Sequence, residues 1–184
     1  MHQHSWFETL SVERSGEAVL DALFAPQFII VAATRAHQRQ KIDRFHIKRN
    51  DGRVVYRVDY KVDEKAACFG NLALEHVSVR RNGRIVDRGW VHTTIADLLV
   101  SYVPAWDIAF VLEIRELRQR WGEIQEAAAI HPPTGRKLRQ TGTPGSHITE
   151  FYAVPVKWLR EQGFLKKELR AVNLQLRLKL RAGK

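Results

Sequence analysis

The sequence predicts a mixed α/β (α+β) domain in which a mixed β-sheet with an antiparallel hairpin is flanked by helices. Three observations carry that class. Leu10, Val12, Val19, Leu20, Leu23 and Phe24 recur at helical spacing over residues 8–24, and Pro26 ends the run. Two alternating segments, 42–49 and 53–63, flank the turn Asn50-Asp51-Gly52, which is a hairpin signal. A second helical pattern covers residues 115–129.

The remaining elements follow in order. Residues 28–33 form a short β-branched run that favours a strand. A third extended run, 72–79, ends at the turn Arg81-Asn82-Gly83-Arg84, so three antiparallel strands are expected over 42–79. Residues 93–103 read as a helix starting at Thr93 or Thr94, and 107–112 as a strand leading into the helix at 115–129. Three prolines and three glycines interrupt 131–146, which reads as a mobile basic loop. Residues 147–154 suit a strand and 155–162 a short helix that Gly163 stops. From Phe164 onward the leucines fit a strand or a helical face equally, and in either case the opposite face is basic.

The chain of 184 residues and 21.3 kDa is one domain's worth, expected as residues 1–184 with a core at about 8–130 and a basic extension at 131–184. The most apolar stretch, 95–112, carries Asp97, Asp107 and Pro104, which excludes a membrane-spanning helix. The N-terminus lacks a signal peptide's basic and apolar regions. One cysteine permits no internal disulfide, so a reducing, cytoplasmic location is expected. Absent Gly-x-x-x-x-Gly-Lys-Ser/Thr, Gly-x-Gly-x-x-Gly, Gly-x-Ser-x-Gly and His-Glu-x-x-His motifs withdraw support from nucleotide hydrolysis, dinucleotide redox chemistry, common hydrolases and zinc peptidases.

The net charge is +10, and residues 131–184 hold twelve bases against three acids. A block this basic attracts a polyanion, and nucleic acid is the expected partner. Arg136, Lys137, Arg139, Arg177, Lys179 and Arg181 are the residues expected to contact its phosphates, with Lys166, Lys167 and Arg170 adding charge; a solubilising surface is the other reading. Should the tail not serve, a groove around Arg44, Lys48, Arg80 and Arg81 is the fallback. Trp90, His92, Tyr102, Trp106 and Trp121 are either core residues or stacking surfaces.

Acids within strands are the feature most directly tied to chemistry. Alternation places Asp59, Lys61 and Asp63 on one face, and Asp43 lies on the other arm of the hairpin. Two close carboxylates repel unless a cation lies between them, and oxygen ligands select a hard ion such as Mg²⁺. A nearby lysine can orient a water or neutralise a phosphoryl oxygen. A solvated strand face with a cross-strand ion pair is the alternative.

Asp43 followed sixteen positions later by Asp59-Tyr60-Lys61 resembles the signature of the PD-(D/E)XK nuclease superfamily, whose restriction-endonuclease-like core many restriction and recombination nucleases share. Lys41-Ile42-Asp43-Arg44, Tyr60-Lys61-Val62-Asp63, Gly70-Asn71-Leu72-Ala73-Leu74-Glu75, Gly89-Trp90 and Thr93-Thr94-Ile95-Ala96-Asp97 are similar to small phage and bacterial nuclease-like proteins of that superfamily, over about residues 17–103. The resemblance implies that Asp43 and Asp59 bind Mg²⁺ or Mn²⁺, that Lys61 assists the attacking water, and that Glu17 joins the metal site. Asp63 and Glu75 are further acids implied near the metal; Glu75 would hold a second ion or fix the Lys61 ammonium. Ile42 stands where the name-giving motif has proline. The implied activity is a metal-dependent endonuclease (a deoxyribonuclease, DNA being favoured), a homodimer being consistent with the resemblance. Three function classes remain: that nuclease, a catalytically silent nucleic-acid- or partner-binding protein of the same fold, and a nuclease subunit of a larger phage or mobile-element machine.

Overall fold

The computed structural model describes residues 6–82, 84–130, 139–142 and 148–171, with side chains over 14–82, 84–128 and 148–171. The elements are α1 (Trp6–Phe24), β1 (Phe28–Ala32), α2 (Arg35–Gln38), β2 (Arg44–Lys48), β3 (Val54–Val62), α3 (Ala66–Phe69), β4 (Asn71–Arg81), β5 (Arg84–Arg88) and α4 (Trp90–Thr93). They continue as β6 (Leu98–Val103), β7 (Ile108–Glu113), α5 (Ile114–Gln119), α6 (Trp121–Ile130), β8 (Arg139–Gly142), β9 (Ile148–Pro155), α7 (Val156–Glu161) and β10 (Leu165–Arg170). A mixed six-stranded sheet runs β1-β2-β3-β6-β7-β10, and an antiparallel four-stranded sheet runs β5-β4-β9-β8.

Alternation along β3 sorts its side chains between two cores. Val58 and Tyr60 face α1, where they pack with Val19, Leu20, Phe24, Val100 and Val111. Leu99, Val103, Phe110 and Leu112 project to the other face and meet Leu72, Leu74, Tyr152 and Val154 of the second sheet, together with α5, α6 and α7. The centre of the large sheet is therefore covered on both faces, with β6 and residues Val58–Tyr60 of β3 largely desolvated. β3 and β6 are its only parallel pair, with Asp59 opposite Leu99 and Lys61 opposite Ser101.

Several sequence-based expectations change. Residues 98–103 are a strand, not part of a helix, and only Trp90–Thr93 is helical nearby. The run Leu98-Leu99-Val100-Ser101-Tyr102-Val103 is buried on both faces, and such a strand shows no alternation to read. The segment 72–79 does extend, but as part of β4 it leaves the first hairpin and pairs with β5 and β9 in the second sheet. The helix expected over 115–129 is two helices broken at Arg120. Within the expected loop 131–146, Arg139–Gly142 pairs with β9. The described start of the tail is the strand β10, antiparallel to β7.

Two glycines set close approaches that position the central strands. A Cβ on Gly16 would stand 2.4 Å from Val62 Cγ2, so glycine lets α1 lie against the end of β3. A Cβ on Gly89 would stand 2.2 Å from the Glu75 carbonyl oxygen, where the chain leaving β5 crosses β4. Gly89→Ala should therefore force the β4–β5 hairpin apart and cost about 1–3 kcal/mol. A lowered thermal midpoint checks this; an unchanged midpoint would mean the crossing has slack.

Candidate active site

Asp43 lies one residue before β2 and is clamped to β3. Its N–H donates to the Val58 carbonyl at 2.9 Å, and its Oδ2 accepts the Tyr60 N–H at 2.8 Å. These bonds straddle Asp59 and hold the Asp43 carboxylate next to it. Asp59 is 1% exposed, and its Oδ2 has no hydrogen-bond donor among the described residues. Its Oδ1 accepts from the Lys61 ammonium, whose Nζ also donates to the Tyr60 carbonyl at 3.3 Å.

The electrostatics follow from burial. Desolvation pushes the Asp59 pKa up from 3.8 to about 7; Lys61 opposes the shift, while the Asp43 charge adds to it. Two carboxylates can bond each other only through a shared proton or cation. Burial disfavours charge on Lys61, but Asp59, Asp43 and Glu75 outweigh it and hold its pKa above the ordinary value. Lys61 is consequently a cation across the physiological range.

The other acids are brought near but are engaged in different ways. Gly16 allows α1 to carry Glu17 to a cavity of about 180 Å³ shared with Asp43, Tyr60, Lys61 and Val62. Glu17 pairs there with Arg44 at 2.8 Å, and Arg44 also reaches Asp21 at 2.9 Å. Asp63 accepts the backbone N–H groups of Lys65, Ala66 and Ala73 at 3.1, 2.9 and 3.2 Å, so its carboxylate ties α3 and β4 to the end of β3. Glu75 Oε1 accepts from Ser78 Oγ at 2.5 Å and from the Trp90 N–H at 3.2 Å. A second cavity of about 230 Å³ runs from Lys61 to Asp63, Glu75, Trp90, Ser101 and Phe151. Lys61 lines both cavities.

Asp43, Asp59, Lys61 and Glu17 thus converge at one end of the hairpin, with Glu75 and Asp63 along the adjoining wall. Among the described residues no group of three or more His, Cys, Asp or Glu forms a ready-made metal cage. Mg²⁺ does not require one, because it is commonly held by one or two carboxylates with water and substrate oxygens completing the shell. The unpartnered Asp59 Oδ2 beside Asp43 is a donor set of that kind. Sequence reasoning missed Ser101 and Phe151. Ser101 is a polar residue inside the apolar run 98–103, which was a readable signal, whereas Phe151 arrives from β9 by a distant chain crossing.

Of the aromatic residues singled out in sequence, Trp90 is buried with its ring 6.0 Å from Lys61 Nζ. Tyr102 is buried and donates to Asp107 at 2.9 Å, and Trp106 and Trp121 pack on the core. His92 meets His76 at 3.0 Å beside Trp121. Arg136, Lys137, Arg177, Lys179 and Arg181 lie outside the described residues, as does the Arg139 side chain. No helix among the described residues is long and apolar enough to cross a membrane. No protein-family model, curated protein or solved structure matches the chain.

The raised Asp59 pKa has a thermodynamic signature in metal-free protein. Between pH 3.8 and about 7 the folded state holds a proton that the unfolded state has released, so this group's contribution to stability falls as pH rises. At about 1.4 kcal/mol per pH unit the full interval is worth roughly 4 kcal/mol. His46, buried and depressed to about 4, acts in the opposite sense over part of the same range, so the informative quantity is a difference between proteins. Asp59→Asn should gain stability relative to wild type as pH rises from 4 to 8 in EDTA, measured by denaturant midpoints. A constant difference would show that Asp59 is already ionised.

Proposed function

We propose that the chain is a metal-dependent nuclease that hydrolyses phosphodiester bonds, DNA being the favoured substrate. One observation carries the reading: a nearly fully buried Asp59 carboxylate, with one oxygen unpartnered, lies beside Asp43 and the Lys61 ammonium, and it is these two neighbours that line the adjoining cavities. The order α1, β1, β2 and β3 antiparallel, then β6 parallel to β3, supports it through the resemblance to the PD-(D/E)XK superfamily.

Asp43 and Asp59 would hold Mg²⁺ or Mn²⁺. The ion when bound polarises the scissile phosphate and lowers the pKa of a coordinated water. The chain's own residues do the rest. The Val58 carbonyl and Tyr60 N–H fix Asp43 in place, so the two carboxylates need no reorganisation. Lys61, anchored by the Tyr60 carbonyl, offers its remaining N–H donor to the attacking water or to charge growing on a phosphoryl oxygen. Glu17, Glu75 and Asp63 keep positioning tasks, holding Arg44, Trp90 and α3. Exposed, unpaired Cys68 fits a reducing compartment, and we place the protein in the cytoplasm.

A second reading has one observation in its favour. The direct contact of Lys61 with Asp59 satisfies that carboxylate oxygen without a metal ion, as in a nucleic-acid-binding protein that kept the fold and lost the chemistry. Incubation with linear, circular, single-stranded and branched DNA in Mg²⁺, Mn²⁺ or EDTA separates the two. The nuclease reading expects metal-dependent cleavage that Asp59→Asn abolishes. Binding without cleavage of any substrate supports the second.

Lys61→Ala should lower turnover on bound substrate by about 10²–10³-fold with little change in affinity, because its charge acts on the transition state. Tenfold weaker binding with normal single-turnover cleavage would make Lys61 a phosphate anchor.

A further inference from the structure

The β5 edge of the smaller sheet has no role in the site described so far. All five of its residues, Arg84, Ile85, Val86, Asp87 and Arg88, are exposed, and Val86 is 63% exposed. The strand is outermost in the order β5-β4-β9-β8, so along its free side the backbone N–H groups face outward unpaired. Arg81, also exposed, lies directly across the ladder from Arg84. Like charges placed opposite each other destabilise a ladder. Among the described residues Arg81, Arg84 and Arg88 have no carboxylate partner, whereas neighbouring Arg80 is bound to Glu150 at 2.7 Å. Ladder stability therefore gives no reason for the facing Arg81 and Arg84, nor for Arg88 opposite Val77.

Their placement relative to the candidate active site does. The chain leaves β5 through Gly89, whose N–H donates to the His76 carbonyl at 2.9 Å, and Trp90 follows with its N–H on Glu75. The Trp90 ring lies 6.0 Å from Lys61 Nζ. The edge thus leads straight to the cavity that Lys61 lines. From Arg84 to Arg88 the strand rises about 13 Å, at about 3.3 Å per residue. Measured along the duplex axis, that length covers roughly four nucleotide steps of one strand at about 3.4 Å each.

We propose that the β5 edge, with Arg81, Arg84 and Arg88, is a docking surface for the phosphate backbone of duplex DNA and guides that backbone toward Lys61. The inference rests on the nuclease reading for the direction of travel, but its binding claim stands apart from cleavage. The chemistry selects this occupant. Guanidinium groups and free N–H donors are the usual partners of phosphate oxygens. Single-stranded DNA would need aromatic faces for its bases, and the strand offers none. A second copy of the chain pairing antiparallel about Val86 would set Arg84 against Arg88 of the other copy, and in-register parallel pairing would set arginine on arginine. Self-association through this edge is thus electrostatically opposed.

The test is the triple variant R81Q/R84Q/R88Q, with binding to a 30-base-pair DNA duplex followed by fluorescence anisotropy in EDTA across a salt series. Each lost phosphate contact should flatten the log–log slope by about 0.9, so a decrease of roughly 2–3 is expected. Val86→Glu adds a negative charge to the same strand without removing an arginine, and should weaken duplex binding at low salt. Thermal midpoints within a few degrees of wild type show that the fold is kept. Slopes unchanged in the triple variant, or wild-type protein that binds no duplex, would each overturn the proposal. A wild type that cleaves while the triple variant keeps its slope removes the edge and spares the nuclease reading. A flattened slope in protein that cleaves nothing spares the edge and removes the nuclease reading.

Discussion

Desolvation of one carboxylate, that of Asp59, is the constraint around which this end of the molecule is arranged. β3 pairs with β2 on one side and β6 on the other, and the smaller sheet covers the face from which Asp59 projects. A single buried carboxylate costs several kcal/mol if it stays charged and unpaired. The chain answers with Lys61 two residues along the strand, then adds Asp43 beside Asp59, which raises the cost again. An arrangement made only for stability would have stopped at the ion pair. Retention of Asp43, held by two backbone bonds against β3, makes sense if a further cation belongs between the acids.

The neighbouring acids show how such a site is kept from collapsing onto itself. Arg44 takes Glu17 and Asp21, so the α1 carboxylates are held back from the Lys61 ammonium. Asp63 is consumed by three backbone donors and Glu75 by Ser78 and Trp90. The Lys61 ammonium is drawn mainly by Asp59, with Asp43 and Glu75 acting at longer range. Its position at the junction of two cavities is therefore electrostatically determined.

Legibility in the sequence followed the range of the interactions. The hairpin 42–63 was readable because alternation and an Asn-Asp-Gly turn are local, and with it came Asp43, Asp59 and Lys61 as neighbours. The strand 98–103 was not, because burial on both faces erases the alternation that distinguishes strand from helix over so short a run. The second sheet was invisible for a different reason. β4 read correctly as extended, yet its partner β9 begins almost seventy residues after β4 ends, and no local signal encodes that pairing. Ser101 and Phe151 enter the cavity through those same non-local pairings. The tasks of Asp63 and Glu75 depend on which N–H groups happen to lie within reach, which only the folded backbone decides.

Charge placement makes the last connection. Summed over the whole chain, the positive surplus points to the C-terminal third, but within the described residues a summed charge misleads. Arg44, Arg57, Arg80, Arg120 and Arg160 are each held by at least one carboxylate, and a guanidinium so engaged has little left to offer a polyanion. Of the fallback groove read from sequence, Arg44 and Arg80 are removed on that ground. Arg81 stays, and it is the one adjoining the β4–β5 turn. Among the described residues Arg81, Arg84 and Arg88 form no ion pair, and Asp87 is the one acid on β5, so the edge keeps a net positive charge in the free protein. The Asp43–Asp59 pair has the complementary imbalance. The two imbalances sit on different sheets, a pair of acids beside β3 and three arginines at the β5 edge, and under the nuclease reading a metal-bound phosphodiester strand would meet both.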